Sequence, residues 1–118
     1  MGDFQQIDNH IDYIEFAVSN IEQSKRFYSL AFGWTFTDYG PLYCEFTDGR
    51  IKGGFEVSSL ISTGGPLIVL YHQNLEGCMN AVIKAGGKIT KEIFQFPGGE
   101  RFQFKDLDGY ELAVWRVV

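Results

Sequence analysis

A chain of 118 residues with 45% apolar and 16% aromatic side chains can bury the core of one domain, and this composition excludes a disordered protein. The net charge of −5 argues against nucleic acid and anionic membranes as partners, because both need a basic surface. The sequence has no secretion-signal pattern at its start and no apolar run that could span a bilayer, so we expect a cytoplasmic protein with no membrane partner. Cys44 and Cys78 lack metal-ligand spacing and are expected to be reduced thiols.

The first half of the chain predicts a strand, a helix and three further strands. An apolar run rich in aromatic and β-branched residues predicts the first strand at 11–18. Asn20 is a typical N-cap for a helix over 21–32, and Gly33 is a typical residue to end it. Alternating residues and turn signals predict the three later strands at 34–37, 42–47 and 50–57.

The second half repeats this pattern. It predicts a strand at 66–71, a helix that begins after Asn74 and ends at Gly86-Gly87, and strands at 88–93, 100–105 and 110–117. The spacing from Asn20 to Asn74 equals the spacing from Gly33 to Gly87, which indicates an internal duplication.

Two such halves predict an α+β fold of two tandem βαβββ modules within a single domain, 1–118. Module one covers about 10–57 and module two about 66–118. Each helix should cover one face of its sheet, and the two sheets should curl into a cup-shaped mixed β-sheet with the helices outside. A cup lined by aromatic side chains is a ligand pocket by default.

The sequence resembles the vicinal oxygen chelate superfamily, which includes glyoxalase I, bleomycin-resistance proteins and extradiol dioxygenases. The resemblance rests on SNIEQSKRFYSLAFGW after the first strand, AGGKI after the second helix and FKDLDGYELAVW near the end. In the last of these, Leu107 stands where the family pattern has proline. The FGW that ends helix one, together with Lys52-Gly-Gly54, is most similar to the glyoxalase-related branch.

The resemblance implies a divalent metal held by His or Glu side chains on the first and last strands of each module. Carried onto this sequence, the four ligand positions are Tyr13, Leu67, Gly53 and Ala113. None of these residues offers an imidazole or a carboxylate. We therefore expect no metal cofactor, and a divalent metal is the alternative only if neighbouring residues rebuild the site.

Glu15 and Glu111 are the candidate catalytic residues. Each lies two residues from a ligand position, Tyr13 or Ala113, and so on the same strand face. Together they could bind a metal or act as an acid–base pair, or each could simply pair with a Lys or Arg or reach solvent. His10 and His72 are expected to have surface or helix-capping roles.

Strand alternation from Tyr13 and Ala113 predicts a ligand-binding face. The predicted ligand-binding residues on this face are Tyr13, Glu15, Phe55, Leu67, Val69, Tyr71, Glu111, Ala113 and Trp115. Ala17 and Gly53 are predicted to lie on the same face. Tyr71 and Trp115 can stack on a flat ligand. Glu56 should point to the opposite face from Phe55.

The resemblance therefore implies a homodimeric, bleomycin-resistance-like protein that binds a small apolar or aromatic ligand without a metal. Glu15 and Glu111 would favour a positively charged ligand. The alternative is a lyase, isomerase or dioxygenase-type enzyme that uses a rebuilt metal site or the Glu15/Glu111 pair. A third interpretation is a dimeric scaffold with a filled cup that binds another protein.

Overall fold

A computed structural model describes residues 6–118, which form eight strands and two helices. In chain order these are β1 (Tyr13–Val18), α1 (Ile21–Phe32), β2 (Thr35–Asp38), β3 (Tyr43–Thr47), β4 (Lys52–Val57), β5 (Ile68–Tyr71), α2 (Leu75–Ala85), β6 (Lys88–Phe96), β7 (Gly99–Lys105) and β8 (Glu111–Val117). The order βαβββ occurs twice, as the internal duplication predicts.

The two halves of the chain have the same topology. The described chain divides between Ile61 and Ser62 into two compact units. In unit one the strand order is β1-β4-β3-β2, and in unit two it is β5-β8-β7-β6. The first strand of each unit runs parallel to the last, and the other pairs are antiparallel. These two mixed sheets confirm the α+β fold with tandem modules.

Both helices begin and end at the predicted kinds of residue. The side chains of Asn20 and Asn74 accept hydrogen bonds from the backbone N–H three residues on, at 2.9 and 3.0 Å, which satisfies an otherwise unpaired donor. Gly33 ends α1 at φ 73° and Gly86 ends α2 at φ 105°, in the left-handed region that favours glycine. The glycine that answers Gly33 is therefore Gly86 and not Gly87, because α2 is one residue shorter than α1.

The core of unit one is aromatic. The ring of Tyr28, on α1, stacks on Trp34, which in turn stacks on Phe46 of β3, with 4.5 Å between centroids in both pairs. Phe16 and Phe55, from β1 and β4, pack at 5.9 Å on the same side of the sheet. All five side chains are buried, and burying each aromatic ring contributes about 1.5–3 kcal/mol.

The core of unit two is more aliphatic. It consists of buried α2 and sheet residues: Leu75, Cys78, Val82, Phe102, Phe104, Leu112 and Val114. Along β7 and β8 these residues alternate with side chains on the other sheet face. Among residues 6–118, neither helix is long and apolar enough to cross a membrane.

Candidate functional site

In unit one, the sheet face that points away from α1 carries polar and aromatic side chains. This unit-one face is formed by alternate residues of the four strands: Tyr13, Glu15 and Ala17 of β1, Thr35 and Thr37 of β2, Tyr43, Glu45 and Thr47 of β3, and Lys52, Gly54 and Glu56 of β4. The register places Gly54 between Glu15 and Glu45. The face therefore has two tyrosines and three glutamates around one glycine.

Two tyrosine hydroxyls meet over that glycine. The Tyr13 and Tyr43 oxygens are 2.6 Å apart and form a hydrogen bond. A Cβ atom added to Gly54 would overlap the Tyr43 hydroxyl and lie 2.7 Å from the Tyr13 hydroxyl. A side chain at this position would force the two hydroxyls to move.

The Tyr43 hydroxyl also interacts with the carboxylate of Glu15. Burial, the hydrogen bonds to Tyr13 and Glu15, and the nearby negative charge of Glu15 all raise the pKa of Tyr43 well above its usual value. Burial is also the main reason that the pKa of Tyr13 is raised, although its bond to Tyr43 acts in the opposite direction. Both phenols therefore stay protonated at neutral pH, and the group Glu15–Tyr43–Tyr13 can give or receive a hydrogen bond at this face.

The prediction that Phe55 shares the face of Tyr13 and Glu15 is wrong. Phe55 is fully buried, and its ring lies 5.6 Å from Tyr28 of α1 and 5.0 Å from Phe46. It belongs to the helix-covered core of unit one and does not line the unit-one face.

The physical reason is a shift of one residue in the alternation of β4. This strand begins three residues after Gly49, whereas β8 begins two residues after Gly109, so equal spacing from the two turns does not select equivalent positions. Gly54, and not Gly53, lies beside Glu15, and Gly53 packs against the Phe46 ring in the core. Glu56 is on the unit-one face.

In unit two, the face away from α2 carries most of the predicted ligand-binding residues. Cross-strand pairing places Val69 beside Ala113 and Tyr71 beside Trp115, with Glu111 on the same face of β8. Leu67 lies just before β5 and is 38% exposed. We call this surface the unit-two face; its other members, from β6 and β7, include Lys91, Phe94, Phe96, Arg101, Gln103 and Lys105.

An aromatic cluster lies at one end of the unit-two face. The rings of Tyr71 and Trp115 meet edge to face with centroids 5.3 Å apart, and Phe96 lies 6.1 Å from Trp115. Tyr71 is 48% exposed, and its hydroxyl donates to the Gln73 side chain at 3.1 Å. These rings therefore present apolar surface together with a polar edge.

Glu111 is held by neighbours on its own sheet. Its Oε2 atom accepts hydrogen bonds from the Thr90 hydroxyl at 2.6 Å and from Gln103 Nε2 at 3.0 Å. These bonds, with a smaller contribution from Lys105 and Lys91, hold the pKa of Glu111 below its ordinary value. Glu111 is therefore ionised at neutral pH and is a poor proton donor.

Two functional candidates were missed by the sequence reasoning. Tyr43 completes the group on the unit-one face, and Arg101 lies between Phe94 and Trp115 on the unit-two face. Both are on the third strand of their unit. The predicted site residues were chosen from the first and last strands of each unit. Only the pairing between strands shows that residues of the third strand lie on the same face.

The histidines and thiols have local or buried roles. His10 Nδ1 lies 3.0 Å from the Asp8 carbonyl oxygen, and His72 Nδ1 accepts the backbone N–H of Asn74. Burial raises the pKa of both Cys44 and Cys78 to about 11, so neither thiol is an ionised nucleophile at neutral pH.

The residues at the family's metal positions do not fit a divalent ion. The donor set is Tyr13, Leu67, Ala113 and, with the corrected register, Gly54 in place of Gly53. Within residues 6–118, no group of three His, Cys, Asp or Glu side chains is arranged to hold a metal. The two candidate glutamates, Glu15 and Glu111, lie in different units and bond to protein groups.

Solved structures share this fold. A glyoxalase/bleomycin resistance protein/dioxygenase family enzyme from Burkholderia phytofirmans PsJN superposes with a TM-score of 0.82 at 15% identity, covering 91% of this chain and 98% of that one. A glyoxalase-related enzyme from Fulvimarina pelagi gives 0.80 at 19% identity, covering 92% and 88%. A fosfomycin resistance protein from Mesorhizobium loti gives 0.77 at 16% identity, covering 96% and 95%.

Sequence comparison identifies the family. No curated protein matches the chain. The family model for the glyoxalase/bleomycin resistance protein/dioxygenase superfamily matches residues 10–114, which is nearly the whole chain. Together with the tandem βαβββ units, this match shows that the chain belongs to the glyoxalase/bleomycin resistance protein/dioxygenase superfamily.

Proposed function

We propose that this protein binds a small apolar or aromatic organic ligand without a divalent metal, as a bleomycin-resistance-like member of its superfamily. The observation that carries the proposal is the Tyr71–Trp115 pair on the unit-two face, next to a former metal position occupied by Ala113. Ala113 offers no chelating group, and the nearby rings of Tyr71 and Trp115 remain partly exposed for contact with a ligand.

The energetics favour this use of the pair. Tyr71 is half exposed and Trp115 is partly exposed, so a ligand that stacks on them would bury apolar area still in contact with water. Burial contributes about 25 cal/mol per Å², and an aromatic pair adds about 0.5–1.5 kcal/mol beyond its area. The two rings can therefore contribute to a ligand's affinity.

A ligand screen by thermal unfolding tests the proposal. A ligand at a hundred times its dissociation constant should add about 2.7 kcal/mol to the free energy of unfolding. Trp115→Ala should abolish the shift and Trp115→Phe should retain part of it. Tyr39→Ala, which removes an exposed ring outside the helices and strands, is the matched control and should leave the shift intact. Equal binding by Trp115→Ala and the native protein would refute the proposal.

The second candidate is an enzyme that uses acid–base chemistry, and the Glu15–Tyr43–Tyr13 group favours it. In this group Glu15 would accept a proton from a bound substrate, and Tyr43, which its raised pKa keeps protonated, would orient the carboxylate by its hydrogen bond. The lowered pKa of Glu111 argues against the predicted pairing of Glu15 with Glu111 as base and acid. If any turnover is found, Glu15→Gln and Tyr43→Phe should each reduce kcat, and unchanged kcat in both would remove this candidate.

The homodimer and the cytoplasmic location stay predictions. Each sheet ends in strands that have one neighbour within their own unit, β1 and β2 in unit one and β5 and β6 in unit two. Such edges are commonly covered by a second copy. Sedimentation equilibrium over a range of protein concentrations would measure the mass directly.

A further inference from the structure

Arg101 occupies the centre of a row that crosses the whole unit-two sheet. Its cross-strand neighbours are Phe94 on β6 and Trp115 on β8, and Tyr71 on β5 pairs with Trp115. The row therefore reads Phe94, Arg101, Trp115, Tyr71, with one cation among three aromatic rings. The proposed ligand surface thus contains a positive charge.

The guanidinium of Arg101 is held by rings and has no acidic partner. Its Cζ atom lies 5.3 Å from the Phe94 ring centroid and 5.9 Å from that of Phe96. Within residues 6–118, no hydrogen bond or ion pair joins Arg101 to another side chain, and its Nε is buried without a partner. By contrast, Arg116 is bonded to Glu100 at 2.7 Å and lies 3.8 Å from Glu76.

A second buried polar atom on this face also lacks a partner. In the described part of the chain, the buried side-chain atoms without a hydrogen bond are Arg101 Nε and Gln103 Oε1, and both belong to the unit-two face. The amide nitrogen of Gln103 donates a hydrogen bond to Glu111, and the amide oxygen of Gln103 accepts none. Buried polar groups are nearly always paired in native proteins, so the unpaired donor Arg101 Nε indicates a place for an acceptor group. Gln103 Oε1 is itself an acceptor, which an ionised carboxylate does not satisfy.

Glu111, the acid that β8 contributes to this face, does not pair with Arg101. The cross-strand neighbour of Glu111 on β7 is Lys105, not Arg101. The Oε2 atom of Glu111 is hydrogen-bonded to Thr90 and Gln103. Residues 62–118 contain as many basic as acidic side chains, so the net charge of −5 is carried by residues 1–61. An incoming anion would therefore meet no excess of negative charge on unit two.

From this geometry we infer that the unit-two face binds an aromatic carboxylate, whose carboxylate group pairs with Arg101 while its ring stacks on Trp115 and Tyr71. The inference rests on the proposed ligand-binding function and names the chemical class of the ligand. A planar guanidinium presents a fork of donors that matches the two oxygens of a carboxylate, and the flanking rings hold that fork in place. The ligand is anionic, in contrast to the positively charged one suggested by the glutamates alone.

Calorimetric titration with naphthoate and with its neutral amide tests this inference. The native protein should bind naphthoate about tenfold more tightly than the amide, as a charge-assisted hydrogen bond implies. Arg101→Gln should remove this preference by lowering the affinity for naphthoate much more than the affinity for the amide. Arg116→Gln removes the same charge from the opposite face of β8 and is the matched control, which should keep the preference.

A second measurement does not depend on the stability of a variant. Naphthoate should shift the NMR resonance of the Arg101 Nε–H group in the native protein, and the amide should not. Binding of the amide with no advantage for naphthoate would overturn the carboxylate site and leave the proposed function standing. Binding of neither probe would overturn both. If Arg101→Gln lowers the oligomeric mass, a carboxylate of a second copy occupies Arg101 and the inference is wrong.

Discussion

The hydroxyl oxygens of Tyr13 and Tyr43 lie 2.6 Å apart, in the space that a side chain at Gly54 would fill. Tyr13 and Gly54 are at two of the positions where the superfamily resemblance implies metal ligands, after correction of the register. Neither residue carries an imidazole or a carboxylate, and the Tyr13 hydroxyl bonds to Tyr43 instead. Two positions without metal-ligating side chains and the hydrogen-bonded group of unit one are therefore parts of one arrangement.

Gly54→Ala should displace the hydroxyl pair and destabilise unit one. The new methyl group overlaps the end of the flexible Tyr43 side chain, which can move away, so the expected cost is the Tyr13–Tyr43 hydrogen bond, about 0.5–1.5 kcal/mol. Urea unfolding would measure the loss. In a Tyr43→Ala background the same substitution should cost much less, because the overlapping group is gone. Equal costs in the two backgrounds would mean that the overlap with Tyr43 does not determine the effect.

Phe55→Ala should lower the free energy of unfolding by about 3–5 kcal/mol, since it removes a fully buried ring from the core. The exposed Tyr39 is the control, and Tyr39→Ala should cost less than about 0.5 kcal/mol. Denaturant titration of both variants separates the two interpretations of Phe55. A small cost combined with lost ligand binding would restore Phe55 to the ligand-binding set.

Tyr43 should titrate at higher pH than an ordinary tyrosine. Its pKa is raised in the folded state, so its contribution to stability is complete below the unfolded value near 10 and is lost as pH rises above it. Absorbance of tyrosinate, compared between the native protein and Tyr43→Phe, would isolate its ionisation. Glu15→Gln should lower the pKa of Tyr43 by removing a negative charge. A measured pKa of Tyr43 at or below that of an ordinary tyrosine would show that the hydrogen bonds to Tyr13 and Glu15 do not form.

Glu111 should contribute to stability in the opposite pH range. Its pKa is lowered in the folded state, so its contribution is present above the unfolded value near 4.5 and is lost as pH falls below it. Thr90→Val removes one donor to Glu111 and should cost about 1 kcal/mol at neutral pH, with a smaller difference in acid. Thermal unfolding across pH 3–7 would measure this. A difference that does not change with pH would show that the charge of Glu111 is not involved.

Much of the fold could be predicted because its signals are local. Asn20 and Asn74 cap the helices through bonds to residues three positions away, and Gly33 supplies a left-handed cap. Such contacts depend on short stretches of sequence, so periodicity and capping residues reveal them. The duplication then fixed the order of the elements, even though the second helix ends one residue early, at Gly86.

The candidate site was predicted less completely because it depends on pairing between distant strands. A one-residue difference after the Gly49 turn reversed the faces of Phe55 and Glu56, and nothing in local alternation reports such a shift. Tyr43 and Arg101 were missed for the same reason. Their positions follow from β3 pairing with β4 and β7 pairing with β8, which are contacts across the sheet.

The central claim is that organic ligand binding without a metal has replaced chelation, and elemental analysis tests it most directly. The full chain would be purified without chelators from cells supplied with nickel, zinc, iron, cobalt and manganese, and its metal content measured by plasma mass spectrometry. With Tyr13, Leu67, Gly54 and Ala113 at the former ligand positions, the metal content should be far below stoichiometric and chelator should leave the melting temperature unchanged. A stoichiometric divalent metal whose removal lowers that temperature would contradict the account.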